Sequence, residues 1–129
     1  MKKFTFIAII FSLFAGLAMA KDNSDISQQA LQKVMASAEK NKVVLLDVRS
    51  PNEYAEGHVP GAINISHTQI KANLAKLLPH KNDVVVVYCR SGRRAGMAKD
   101  ILAENGFTKL RHLTGDMNAW YDANLPIEK

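Results

Sequence analysis

Apolar and polar residues follow two rhythms along this chain, and the rhythms alternate. From Ile26, the apolar positions Ile26, Ala30, Val34, Met35 and Ala38 recur at helical spacing up to about Lys40, which predicts a packing helix. Val43-Val44-Leu45-Leu46-Asp47-Val48 replaces that rhythm with a continuous, β-branched apolar run, the pattern of a strand covered on both faces. Ser50-Pro51-Asn52-Glu53 then offers a cap, a proline at the first helical position and a glutamate placed to close a capping box, so a short helix is predicted to end near Gly57. Past Pro60-Gly61, Ala62 to Ile65 reads as a short strand, and Ile70, Leu74, Leu77 and Leu78 stripe a helix that Pro79 ends. Val84-Val85-Val86-Val87-Tyr88 is the clearest buried strand. A helix is predicted from Arg93 to Asn105, with Ala98, Ile101 and Leu102 inward and Gly106 as its stop. Lys109 to Leu113 reads as a last strand, and a turn at Thr114-Gly115-Asp116 leads to a terminal helix packed through Trp120.

Strands that alternate with helices at this spacing predict an α/β fold with an open, mostly parallel central sheet and helices on both faces. Such sheets bind ligands beyond the carboxyl ends of their strands. Cys89 follows directly on the strand ending at Tyr88 and therefore falls at such an end.

The first twenty residues lie outside this alternation. Lys2 and Lys3 precede an apolar run from Phe4 to Met19, closed by Ala18-Met19-Ala20 before Lys21-Asp22, the layout of a cleavable secretory signal peptide. The expected organisation is a leader at residues 1–20 that is removed, and one domain at residues 21–129 with no stable membrane anchor. A short Lys-Lys leader points to a periplasmic address. The whole chain has 129 residues, which leaves room for one ordinary domain and not two. With 4 Pro, 7 Gly and no repeat, its composition excludes disordered, collagenous and coiled-coil classes. Of the 17 basic residues two sit in the leader, leaving 15 against 12 acidic residues, a balance of +3 that does not imply a nucleic-acid partner. His58, His67, His80 and His112 lack ligand spacing, and one cysteine cannot build a thiolate metal site, so neither metal nor cofactor is expected.

That single cysteine carries the chemistry. An exported chain with one cysteine cannot form an internal disulfide, so Cys89 is either an inert core residue or a thiol kept free for reaction. It opens the segment Cys89-Arg90-Ser91-Gly92-Arg93-Arg94 between a buried strand and a helix. A loop there brings backbone N–H groups and the unpaired donors of a helix start together as an anion cradle. Gly92 allows the tight curl, and Ser91 supplies a hydroxyl. These donors, the helix dipole and three arginines favour the nucleophilic thiolate, and three guanidinium groups are hard to house around an inert core residue. Arg90 and Arg94 are the better candidates for meeting an anion, with Arg93 turned to solvent.

Three separated segments give the chain a family likeness: Leu46-Asp47-Val48-Arg49 with Glu53 and Gly57 to Asn64; Val87 to Arg94; and Gly115-Asp116 with Trp120. Over nearly all of residues 26–129 it resembles the single-domain rhodaneses, or thiosulfate sulfurtransferases. The resemblance implies a rhodanese-like α/β domain in which Cys89 attacks the outer sulfur of thiosulfate, releases sulfite and holds a persulfide. The loop Arg90, Ser91, Gly92, Arg93 and Arg94 binds the anion, and cyanide or a cellular thiol removes the sulfur. A second reading is a persulfide carrier loaded by a partner protein, with poor thiosulfate turnover. Phosphatases and arsenate reductases of related fold have a loop one residue longer, which would place arginine where Ala95 stands. Asp47, Arg49 and Glu53 are expected to be structural, with Arg49 pairing Asp47 or Glu53, and His58 to belong to a fold-defining turn.

Overall fold

In the computed structural model, which describes residues 24–129, the predicted alternation becomes one parallel sheet. Strands β1 (Asp25–Ile26), β2 (Val43–Asp47), β3 (Ile63–Asn64), β4 (Val84–Tyr88) and β5 (Leu110–Leu113) lie in the order β1-β5-β4-β2-β3, every neighbouring pair parallel. The helices are α1 (Gln28–Met35), α2 (Pro51–Glu56), α3 (Leu74–Leu77), α4 (Arg93–Glu104) and α5 (Asp116–Asp122). The expected leader lies outside the described residues.

Strand β4 is apolar at every position because both of its faces are covered. Val85 and Val87 pack with Leu46, Ile70, Leu77, Ala98 and Leu102 on the side of α3 and α4. Val86 and Tyr88 pack with Leu31, Leu45, Met117 and Trp120 on the side of α1 and α5. Each such large side chain, fully withdrawn from water, contributes about 1.5–3 kcal/mol of apolar transfer energy. The expected open sheet with helices on both faces is therefore the observed fold.

Two expected helices change shape. The helix predicted from Ile26 begins at Gln28, because extended Ser27 caps it by accepting the Ala30 N–H at 3.0 Å. Ile26 falls before that cap and pairs with Leu113 as part of an additional strand, β1. The same helix ends at Met35, and Ala38–Lys42 forms a separate 3-10 turn capped by Ser37. The helix predicted across Ile70 to Leu78 is one α-turn, α3, flanked by 3-10 turns at Lys71–Asn73 and Leu78–His80. Asn73, at φ −111° and ψ 15°, departs from helical geometry, and Pro79 has no N–H to carry an i to i−4 bond.

At the chain's far end His58 and Glu128 exchange two backbone hydrogen bonds of 2.9 Å, and the Trp120 indole N–H donates to the Pro126 carbonyl at 2.8 Å. These contacts fix α5 and the tail against the segment that follows α2.

Candidate active site

The site begins where β4 ends. Cys89 leaves the strand with its side chain buried, 1% exposed. The chain then curls so that the Gly92 N–H donates to Cys89 Sγ at 3.0 Å. Gly92 sits at φ +120°, where side-chain-bearing residues are strained, and it directly precedes α4 without a side-chain cap of its own. The first-turn N–H groups of α4 and the positive end of its dipole thus lie at the loop.

Helix α5 clamps the loop from the other side. The Met117 N–H donates to the Cys89 carbonyl at 3.0 Å, and the Asn118 N–H to the Arg90 carbonyl at 3.1 Å. The Cys89 N–H donates to Asp116 Oδ1 at 3.0 Å. Asp116 is buried at φ +54° and also faces His112, whose Nε2 lies 2.9 and 3.0 Å from its two carboxylate oxygens. Sequence reasoning placed Asp116 in a turn and left His112 among scattered histidines. A usable signal was present in the spacing of a carboxylate directly after Gly115 and four residues from a histidine.

The arginines divide. Arg94 is turned toward α2 and forms a bidentate pair with Glu53, Nη1 to Oε1 at 2.7 Å and Nη2 to Oε2 at 3.1 Å. Its guanidinium is therefore engaged by a carboxylate. Arg90 and Arg93 are exposed, as is Ser91. Arg90 lines a small cleft together with Glu56, Asn118 and Tyr121. The exposed positive charge of the loop thus lies on Arg90 and Arg93, while Arg94 ties the loop to α2.

Glu53 deserves its place in that tie through the capping box at the start of α2. Its carboxylate accepts the Ser50 N–H at 3.1 Å, and the Ser50 hydroxyl accepts the Glu53 N–H at 3.2 Å. The Arg94 hydrogen bond, assisted by Ser50 and opposed by burial, holds the Glu53 carboxyl down at about 2. The same ion pair raises Arg94 further above its already high value.

Arg49 pairs with Asp47 rather than Glu53, Nε to Oδ1 at 3.0 Å and Nη2 to Oδ2 at 2.7 Å, both side chains buried. Burial opposes the Arg49 charge, but the hydrogen bonds and charge of Asp47 more than offset it, so its pKa is raised. Arg49 Nη2 also donates to the Gly57 carbonyl at 2.7 Å, joining the end of β2 to the end of α2. His58 stacks on Tyr54, ring centroids 3.7 Å apart, with Nδ1 2.9 Å from the Tyr54 carbonyl. These residues lie in the frame around the cysteine loop.

A buried thiol at a strand end, in a loop rich in N–H donors and flanked by exposed arginines, is equipped for nucleophilic attack on an anionic substrate. A family model described as the rhodanese-like domain matches residues 30–123. The chain is 47% identical over 70 residues to thiosulfate sulfurtransferase PspE of Escherichia coli (strain K12), covering 54% of this chain and 67% of that protein. It is 34% identical over 104 residues to a sulfurtransferase of Allochromatium vinosum, 81% of this chain and 94% of the relative. A solved E. coli structure, a rhodanese with anions, aligns with TM-score 0.58 and 41% identity, covering 67% of this chain and 98% of that one. With the match running from within α1 through α5 and enclosing the cysteine loop, the chain belongs to the rhodanese-like sulfurtransferase family.

Proposed function

We propose that this chain is a thiosulfate sulfurtransferase with Cys89 as nucleophile and the loop Arg90, Ser91, Gly92, Arg93 and Arg94 as its anion site. The contact from the Gly92 N–H to Cys89 Sγ carries the reading, because a donor aimed at sulfur favours the thiolate and, afterwards, an anionic sulfur in its place. Arg90 and Arg93 draw in the substrate dianion. Arg94, the last residue of that site, also holds the loop in shape through its pair with Glu53.

The Cys89 thiolate attacks the outer sulfur of thiosulfate. The S–S bond of thiosulfate breaks, and its electron pair leaves with sulfite. Cys89 is left as a persulfide. A thiolate or cyanide then attacks the terminal sulfur, the persulfide S–S bond breaks, and the electron pair returns to Cys89, giving an acceptor persulfide or thiocyanate. No outside oxidant or reductant is consumed, and the reaction is covalent catalysis in two half-steps. We further assign residues 1–20 as a cleaved leader, residues 21–129 as the working domain and the periplasm as its compartment, on the basic, apolar and small-residue pattern of the N-terminus.

The test is intact mass of the reduced protein after brief exposure to thiosulfate, beside Cys89→Ser, followed by cyanide. The expected result is a gain of one sulfur atom on the wild type alone, lost again as thiocyanate appears. Sulfur gain without steady turnover would move the assignment to a persulfide carrier. No gain at all would overturn thiosulfate as donor.

A further inference from the structure

Asp116 poses an electrostatic problem next to a thiol that must react as an anion with an anion. Its carboxylate is buried and holds the Cys89 N–H at 3.0 Å. It also lies close to the donor that serves the sulfur, since a Cβ built on Gly92 would sit 3.3 Å from Asp116 Oδ2. A buried negative charge there opposes both the thiolate and an arriving dianion, because like charges at short range in a poorly solvated site repel strongly. The same Gly92 position is 3.5 Å from His112 Cε1, so the imidazole lies on the same side of the loop as the carboxylate it contacts.

We propose that Asp116 and His112 are a charge-balanced positioning pair for the cysteine loop: Asp116 fixes the Cys89 backbone, and the His112 ring, facing both Asp116 oxygens, offsets the carboxylate charge that would otherwise repel anions from Cys89. This deepens the sulfurtransferase reading and rests on it only for the identity of the anion. Neither residue touches the reacting sulfur atoms in this account; both act through Cys89 and Gly92. The arrangement explains why a buried aspartate is compatible with the site: its two oxygens are satisfied by a backbone N–H and by a ring nitrogen able to carry positive charge.

On the strands beside β5, the register partners of His112 are Asp25 on β1, which is exposed, and apolar Val87 on β4. On the loop side stands Gly92, with Arg90 and Arg93 exposed beyond it.

The experiment compares wild type, His112→Gln, Asp116→Asn and the double variant by the ratio of Cys89 alkylation rates with iodoacetate, an anion, and iodoacetamide, its neutral analogue. The ratio reports local potential and cancels any change in thiol reactivity common to both reagents. Glutamine keeps a donor toward Asp116, and asparagine keeps an acceptor for the Cys89 N–H and tolerates positive φ. His112→Gln is expected to lower the ratio about tenfold near neutral pH, and adding Asp116→Asn to restore it to within about threefold of wild type. Thermal melting of each variant shows that it is folded.

A ratio unchanged in folded His112→Gln, or a double variant no better than that single one, overturns the pair. Thiosulfate loading is measured in parallel. If the alkylation ratios behave as expected while wild type gains no sulfur, the charge-balanced pair stands and the thiosulfate reading falls.

Discussion

Gly92 holds its N–H 3.0 Å from Cys89 Sγ at φ +120°, and an added Cβ would press on Asp116 Oδ2 at 3.3 Å. Gly92→Ala is therefore expected to cost about 1–3 kcal/mol in backbone strain. Moving that one donor off the sulfur is expected to slow sulfur loading of Cys89 at least about tenfold, read by timed intact mass. Glu53 gives a second residue-level prediction, with its sign set by linkage. Its folded value of about 2 lies below the ordinary 4.5, so the ionised pair with Arg94 stabilises the fold fully above the ordinary value. That contribution fades as pH falls through the folded value. Glu53→Gln is expected to lower stability by about 1–2 kcal/mol near neutral pH, the exposure of the pair limiting its worth, and the gap from wild type to close by about pH 2, measured by urea unfolding. The placement of Cys89 and Gly92 was legible in the sequence, because a loop between a buried strand and a helix start fixes where both fall. The Arg94 partner and the burial of Asp116 were not, because a side chain's direction depends on elements far away in sequence: Glu53 lies on α2, and Asp116 meets Cys89 across the β5 to α5 turn.

At the level of elements, the cysteine loop is held between the starts of two helices. Helix α4 presents its first turn to the loop, and α5 donates its Met117 and Asn118 N–H groups to the carbonyls of Cys89 and Arg90. The second clamp depends on Gly115, which enters α5 at φ +81°, where a Cβ would collide with the Ala119 Cβ. Gly115→Ala is expected to cost about 2–4 kcal/mol, through unfavourable φ and overpacking together, and to appear as a lowered thermal midpoint. Sulfur loading is expected to fall in the fraction that remains folded, since the displaced α5 no longer fixes Cys89. An unchanged midpoint would show that α5 re-forms around the new methyl group. The strongly patterned elements were readable: β2 and β4 from continuous apolar runs, α2 from its capping box and α4 from its stripe and glycine stop. Strand β1 was not, because its two residues are too few for a period and Ile26 also continues a helical stripe. Helix α3 was overestimated because an apolar period records which side faces the core, and tight 3-10 turns present nearly the same side as an α-helix.

For the whole molecule, alternating strands and helices announced a parallel sheet, but the order β1-β5-β4-β2-β3 depends on which faces the helices cover and so required the assembled fold. The covering of one face is completed by the chain's last residues. Glu128 bridges His58 through two backbone bonds of 2.9 Å, its carboxylate accepts the Gly61 N–H at 3.0 Å, and Pro126 takes the indole N–H of buried Trp120 at 2.8 Å. Removing residues 126–129 leaves that indole donor without its acceptor and frees the segment between α2 and β3. Loss of several hydrogen bonds, each worth about 1 kcal/mol net, predicts a fall of about 5–15 °C in thermal midpoint and a red shift of Trp120 fluorescence as water reaches the ring. The tail grips the far end of α5, whereas Met117 and Asn118 at its near end hold the cysteine loop, and Asp116 anchors the Cys89 N–H independently. Sulfur loading well below the melting range is therefore expected to stay within about twofold of wild type, since none of the loop's own contacts is removed. A large loss of loading with the midpoint unchanged would instead make the tail part of the catalytic frame, transmitting its grip along α5 to Cys89.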